Sequence, residues 1–202
     1  MGTITRKKKF VLGRRHNGMR MTPEEFDAIS ECDELYSYEL INGVLIVSPF
    51  ASRHERGLND ALSQMLRNYA DLHPGVLETV FEEYIRVKNG RRRADRVIWV
   101  GMGHPPDPER DVPTIVIEFV SQRRRDWIRD YIEKKEEYLS LGVVEYWVIS
   151  RFDRTLTVFT SGKTGIEERV VTEHEIFNTS LLPGFDLPLD KLLPSQEQRK
   201  QQ

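Results

Sequence analysis

Little in this sequence is extreme, and what it lacks removes several classes of protein. A single cysteine, Cys32, can form no intramolecular disulfide and supplies no thiolate cluster for zinc. A reducing, cytoplasmic setting is the expectation. No apolar run approaches the roughly 20 residues of a membrane-spanning helix. The Phe10-Val11-Leu12 stretch is too short for a signal-peptide core, so no membrane association is expected. Net charge is only −2, which offers no global positive field for nucleic acid; a basic binding surface has to be local. No internal repeat or second domain is visible. The 39% hydrophobic and 31% charged content is that of an ordinary globular chain, and 202 residues suffice to bury a sizeable core.

What is present divides into three segments. Residues 1–20 carry Arg6, Lys7, Lys8, Lys9, Arg14, Arg15 and Arg20 without an acid, which predicts a basic mobile tail. Residues 21–195 read as one domain, and residues 196–202 as a frayed C-terminus. Thr22-Pro23-Glu24-Glu25 starts a short helix, by hydroxyl cap, first-turn proline and acids against the dipole, that runs to about Cys32. Asn42-Gly43 between Tyr38–Ile41 and Val44–Val47 predicts a β-hairpin, since both turn residues tolerate positive φ.

From Ser52 to about His73, Leu58, Ala61, Leu62, Met65, Leu66 and Tyr69 recur at helical spacing, opposite Arg56, Asp60, Gln64 and Arg67. A second hairpin follows, with strands at 77–88 and from Arg92 to Val100 about an Asn89-Gly90 turn. Another helix is predicted from about Arg125 to Leu141, closed by Gly142, and a buried strand from Val143 to Ile149.

The most informative run is Thr114-Ile115-Val116-Ile117-Glu118-Phe119-Val120. It reads as a strand buried on both faces, with a carboxylate at its centre. Burying an ionised carboxylate is costly unless a cation or metal lies beside it. Alternation puts Asp95, Val97 and Trp99 on one face of the preceding strand, and Val116, Glu118 and Val120 on one face of this one. If the strands are neighbours, Asp95 and Glu118 converge. Two carboxylates in one site need a proton or a divalent cation between them, and hard oxygen ligands suit Mg²⁺ or Mn²⁺. The following helix offers Lys134 and Lys135. A wheel of about 100° per residue puts Lys135 near the centre of the apolar face and Lys134 at its edge.

In order and spacing these pieces resemble the Uma-two family, a branch of the PD-(D/E)XK nuclease superfamily. The resemblance spans about residues 36–190. It rests on Tyr38-Glu39-Leu40-Ile41-Asn42-Gly43, Ser52-Arg53-His54, Ala94-Asp95, Val116 to Ser121, Asp130 to Lys134 with Tyr138, Gly142-Val143-Val144-Glu145-Tyr146-Trp147 and Leu182-Pro183-Gly184-Phe185. It implies a restriction-endonuclease-like α/β core, a mixed β-sheet flanked by helices, with an N-terminal hairpin. It implies Asp95 and Glu118 as metal ligands and catalytic residues, and Lys134 as the catalytic lysine moved from the strand, where Val120 stands, to the helix. Glu39 becomes an accessory acid and His54 an accessory residue. The function implied is Mg²⁺-dependent hydrolysis of DNA phosphodiester bonds, with no organic cofactor. A homodimer is expected, because cutting both strands of a duplex favours two-fold symmetry. The chain departs from the family, which has proline before the aspartate and an apolar residue after it, by carrying Ala94 and Arg96.

Plainer readings stand beside these. Glu118 and Lys134 fit a buried ion pair, Asp95 a solvated strand residue paired with a nearby arginine, and His54 a capping or packing residue. Arg91-Arg92-Arg93 and Arg123-Arg124-Arg125 fit either solvated turns or contacts to a phosphate backbone. A catalytically inactive nucleic-acid-binding or protein-interaction module on the same fold is the alternative function.

Overall fold

Asn42 and Gly43 both adopt positive φ, 50° and 74°, in a two-residue turn. That turn joins β1 (Tyr36–Ile41) to β2 (Val44–Pro49), paired in register from Tyr36↔Pro49 to Ile41↔Val44. The hairpin is the centre of the first of two compact units into which the chain packs. That unit lies within Met1–Phe50 and Lys88–Arg92, and the second within Ala51–Val87 and Arg93–Gln202. The computed structural model describes residues 10–50, 53–120 and 128–193, the side chains of 53–55 excepted.

In the first unit Leu12, Met21, Tyr38, Leu40 and Leu45 form a small core. Residues 10–20 are therefore not the mobile tail their basic composition predicted. Leu12 is buried and bridges Cys32, and Arg20 bridges Val44. One well-placed leucine outweighs the surrounding charge, because its burial is worth about 1.5–3 kcal/mol. Residues 1–9 lie outside the described residues, as do those from 194 onward. Helix α1 (Pro23–Asp27) starts as predicted, with a reciprocal Thr22–Glu25 capping box. It stops well short of Cys32, since Leu12 engages the following backbone: its N–H donates to Glu31 O and its carbonyl accepts from Asp33 N.

The second unit is built on a sheet of β4 (Gly90–Val100), β5 (Ile115–Phe119), β6 (Glu145–Ser150), β7 (Thr155–Gly162) and β8 (Gly165–Thr172), with β3 (Leu77–Val87) paired to β4. Strands β4 and β5 run antiparallel, β5 and β6 parallel, and the β6–β7–β8 meander antiparallel. The β3–β4 turn falls on Lys88-Asn89, one residue earlier than Asn89-Gly90, and Gly90 already belongs to β4. The Asn89 carbonyl accepts from Gly43 N.

One face of this sheet is covered by α2 (Arg53–Leu72). Leu58, Leu62, Leu66 and Tyr69 pack with Ile115, Ile117, Phe119 and Trp147, while Arg56, Asp60, Gln64 and Arg67 are exposed, as the periodicity predicts. A short antiparallel pair, β9 (Ile176–Phe177) with β10 (Leu187–Pro188), and α4 (Leu189–Leu192) close that side. On the other face Val97, Trp99, Val116, Val120, Tyr146 and Val148 pack with Tyr138 and Leu139 of α3 (Lys135–Leu141). Gly142, at φ 109°, ends α3. Among the described residues no helix is long and apolar enough to cross a membrane.

The segment before α3 differs in kind from the expected α-helix. Arg129–Lys134 is a π-helical turn. Its i→i+5 hydrogen bonds insert extra residues into the turn and rotate everything around it relative to a 3.6-residue wheel. Ile128 and Ile132, which a regular wheel groups with the apolar face, are consequently exposed at 39% and 45%, and Lys134 is turned inward at 2%.

Candidate active site

The alternation of β5 divides it between the two faces of the sheet. Ile115, Ile117 and Phe119 face α2, whereas Val116 and Val120 face α3, and Glu118 shares their parity. The β4–β5 register pairs Val97 with Val116 and Arg96 with Ile117. Its next step sets Asp95 across from Glu118. There the ladder changes: the Asp95 carboxylate takes the place of a main-chain acceptor, Oδ2 receiving the Phe119 N–H at 2.7 Å. Asp95 is half-buried and Glu118 is 3% exposed.

Lys134 meets Glu118 from the π-helical turn, with Nζ 2.7 Å from Oε1. Tyr138, one turn further on, donates its hydroxyl to the same oxygen at 3.3 Å. Lys134 Nζ also lies 3.8 Å from Asp130 Oδ1 and 3.5 Å from the Arg93 carbonyl. Asp130 is itself buried, beside Arg129, and its carbonyl accepts from the Tyr146 hydroxyl at 3.0 Å. The site therefore gathers Asp95, Glu118 and Asp130 around Lys134, with Arg129 at the side of Asp130.

The electrostatics follow from that count. Burial pushes the Glu118 carboxyl well above its usual range, Lys134 opposes that, and Asp95 and Asp130 add to it. Burial likewise raises the Tyr146 phenol, reinforced by Glu118 and Asp130. On the opposite side of β4, burial brings Arg96 down to about 10, with the Arg67 charge adding to the effect. Among the described residues this buried cluster holds more carboxylates than cations, a balance that favours an added positive charge.

Of the predicted residues, the structure brings Asp95, Glu118 and Lys134 together. Lys135, which the wheel put at the centre of the buried face, is only half-buried, with Nζ 4.8 Å from the Phe159 ring centroid. The π-helical turn is the cause. Glu39 lies on β1 of the first unit, buried, opposite Ile46. The predicted phosphate-contacting arginines Arg91, Arg92 and Arg93 lie on the first residues of β4 and are buried or half-buried. Arg91 is bound through Nε and Nη2 to Asp27, Arg92 is wholly buried, and Arg93 pairs with Glu82 at 2.7 Å. Guanidiniums so placed suit the structural reading of that run as well as the phosphate-contact one. Arg123, Arg124 and Arg125 lie outside the described residues, and of His54 only its place on α2 is described.

Sequence reasoning gave no role to Asp130, Tyr138 or Asn59, whose amide donates to the Asp95 carbonyl at 2.9 Å. The Asp130–Lys134 spacing of four on a helix was the available signal for the first.

The Uma2 family model, described as "Putative restriction endonuclease", matches residues 23–190. The chain belongs to the Uma2 family. The resemblance noted from its motifs is thus borne out. No curated protein matches this Uma2 chain. Among solved structures it is similar to the crystal structure of "a putative nuclease belonging to DUF820" from Anabaena variabilis. The TM-score is 0.70 at 16% identity, over 86% of this chain and 97% of that one. At that identity the likeness concerns the fold, and the fold of this Uma2 chain is restriction-endonuclease-like.

Proposed function

We propose that the protein is a divalent-metal-dependent DNA endonuclease whose reacting centre is Asp95, Glu118 and Lys134. The observation that carries this reading is the meeting of a buried glutamate, an aspartate fixed to the adjacent peptide and a lysine 2.7 Å from the glutamate. Membership of a family described as "Putative restriction endonuclease" supports it.

The residues fit a water-rich ion. Among the described residues no group of three or more His, Cys, Asp or Glu side chains is arranged to hold a metal, so a fully protein-ligated cation is a poor match. Mg²⁺ and its substitute Mn²⁺ keep several waters and are commonly bound through one or two carboxylates plus substrate phosphate. Asp95 and the Glu118 oxygen not bonded to Lys134 would supply those two. When bound, the ion neutralises charge that builds on the scissile phosphate and acidifies water.

The remaining work falls to the chain. Lys134, an ammonium held by Glu118 and Asp130, orients the attacking water or meets the growing negative charge. Tyr138 fixes Glu118, leaving its other oxygen free to turn toward the substrate side. Asp130, 3.8 Å from Nζ, helps to hold Lys134 in place. Glu39 enters as an accessory acid only by its place in the family pattern. Two copies acting on a duplex are part of the same proposal, which sedimentation of the full chain decides.

The test is cleavage of duplex DNA with Mg²⁺ by wild type, Asp95→Ala and Glu118→Ala. Both variants are expected to lose all measurable activity while keeping the fold. Cleavage persisting in either one removes the proposed centre. An inactive wild type that still retains DNA in a salt-dependent manner would favour the second reading, an inactive binding module. That reading draws on the closed Glu118–Lys134 pair, which is as well suited to holding a fold together.

A further inference from the structure

Arg96 follows Asp95 on β4, and alternation sends its side chain to the opposite face of the sheet, where α2 packs. It is 3% exposed. An arginine is always charged and offers five N–H donors with no acceptor, so its burial calls for a carboxylate. The Asp60 charge favours it, but its hydrogen bonds all go to neutral groups. Nε donates to Asn59 Oδ1 at 2.7 Å, Nη2 to the Asn59 carbonyl at 3.3 Å and Nη1 to Thr79 Oγ1 at 3.1 Å. An apolar side chain would fill this place against α2 without the cost of desolvating a charge. Packing alone does not account for Arg96.

What the guanidinium does is set the orientation of an amide. Because arginine only donates, the Asn59 oxygen must face it, and the Asn59 nitrogen must then face the other way. That nitrogen donates to the Asp95 carbonyl at 2.9 Å. Asp95 is thereby held at two points: its carbonyl through Asn59 and its carboxylate by the Phe119 N–H. Phe119 is the residue after Glu118, so the two fixings together define where one carboxylate stands relative to the other. Thr79, bonded to Arg96, also donates to the Val97 carbonyl and extends the same bracing along β4.

We propose that Arg96 and Asn59 form a clamp, working in series from α2 onto β4, that positions Asp95 for metal binding. They are positioning residues, and their role rests on the reading of Asp95 and Glu118 as the metal-binding pair.

The experiment measures Mn²⁺ binding to the full chain without DNA, by electron paramagnetic resonance and calorimetry, alongside thermal unfolding of the metal-free protein. Wild type, Arg96→Met, Asn59→Ala and the double variant are compared. Each single variant is expected to bind Mn²⁺ about 10–100-fold more weakly, the range for groups that orient metal ligands. The double variant should lose no more than the weaker single, since the two residues act through one carbonyl. Arg96→Met should unfold at nearly the wild-type temperature, because methionine keeps the packing and removes a buried charge. A lower unfolding temperature with unchanged Mn²⁺ affinity overturns the clamp and leaves the proposed function standing. Losses that simply add in the double variant also overturn it. A wild type that binds no Mn²⁺ takes down the proposed centre and the clamp together. Should Arg96→Met fail to fold, Asn59→Ala, on a half-buried residue, gives the affinity comparison alone.

Discussion

Replacing Lys134 with methionine removes one charge from a buried pair and little of its volume. Lys134 is 2% exposed and lies 2.7 Å from Glu118, itself 3% exposed. Removing one partner of such a pair costs about 3–5 kcal/mol, because the other charge is left buried. In a chain of this size that lowers the unfolding temperature by roughly 6–20 °C. Glu118 can escape the penalty only by holding a proton. Its folded value is already raised by burial, with Asp95 and Asp130 adding to the effect, and loss of Lys134 removes the charge that opposes them.

The native variant then binds a proton that the unfolded chain releases above about pH 4.3. Stability contributed by that proton is complete below the unfolded value and is lost as pH rises toward the folded one. Between those limits Lys134→Met should lose up to about 1.4 kcal/mol per pH unit relative to a variant that cannot titrate there. Lys134→Met/Glu118→Gln is that control, and urea unfolding of both between pH 5 and pH 8 is the assay. If the two show the same pH slope, or if Lys134→Met is within about 1 kcal/mol of wild type throughout, the buried-pair argument is wrong.

Two other outcomes follow from the surroundings of the site. Tyr146→Phe deletes the hydroxyl that donates to the Asp130 carbonyl at 3.0 Å inside the protein. Losing that hydrogen bond should cost about 0.5–1.5 kcal/mol in chemical denaturation, and no cost would show that the π-helical turn does not depend on it. At Gly142 a Cβ meets nothing within 4 Å, but φ is 109°, so Gly142→Ala is a pure test of backbone strain. It should lose about 1–2 kcal/mol, seen as a drop in calorimetric midpoint; an unchanged midpoint would mean that the helix end relaxes at no cost.

Much of the fold was legible because local chemistry and tertiary structure agree. The Asn42-Gly43 turn, the Thr22–Glu25 cap, the apolar stripe of α2 and the strand around Glu118 all form as their residues dictate. The meeting of Asp95 with Glu118 also followed from alternation, given adjacent strands. What escaped was whatever depended on a partner remote in sequence. Arg91 looks like a surface cation until Asp27 is beside it, and Leu12 like part of a solvated tail until Cys32 and Tyr38 are. The π-helical turn is a different failure: a wheel assumes 3.6 residues per turn, and no residue in Arg129–Lys134 advertises a departure from it. The family pattern favoured Lys134 and the wheel Lys135; it is Lys134 that meets Glu118, since the wheel leaves out the π-helical turn.

The proposed centre requires Asp95 and Glu118 together to hold a divalent cation beside Lys134. Anomalous diffraction from crystals grown with Mn²⁺ tests it most directly. The account predicts a peak within about 2.5 Å of a carboxylate oxygen from each of Asp95 and Glu118, absent in the Glu118→Ala variant. Well-ordered crystals with Mn²⁺ bound elsewhere, and none between those two carboxylates, would contradict it.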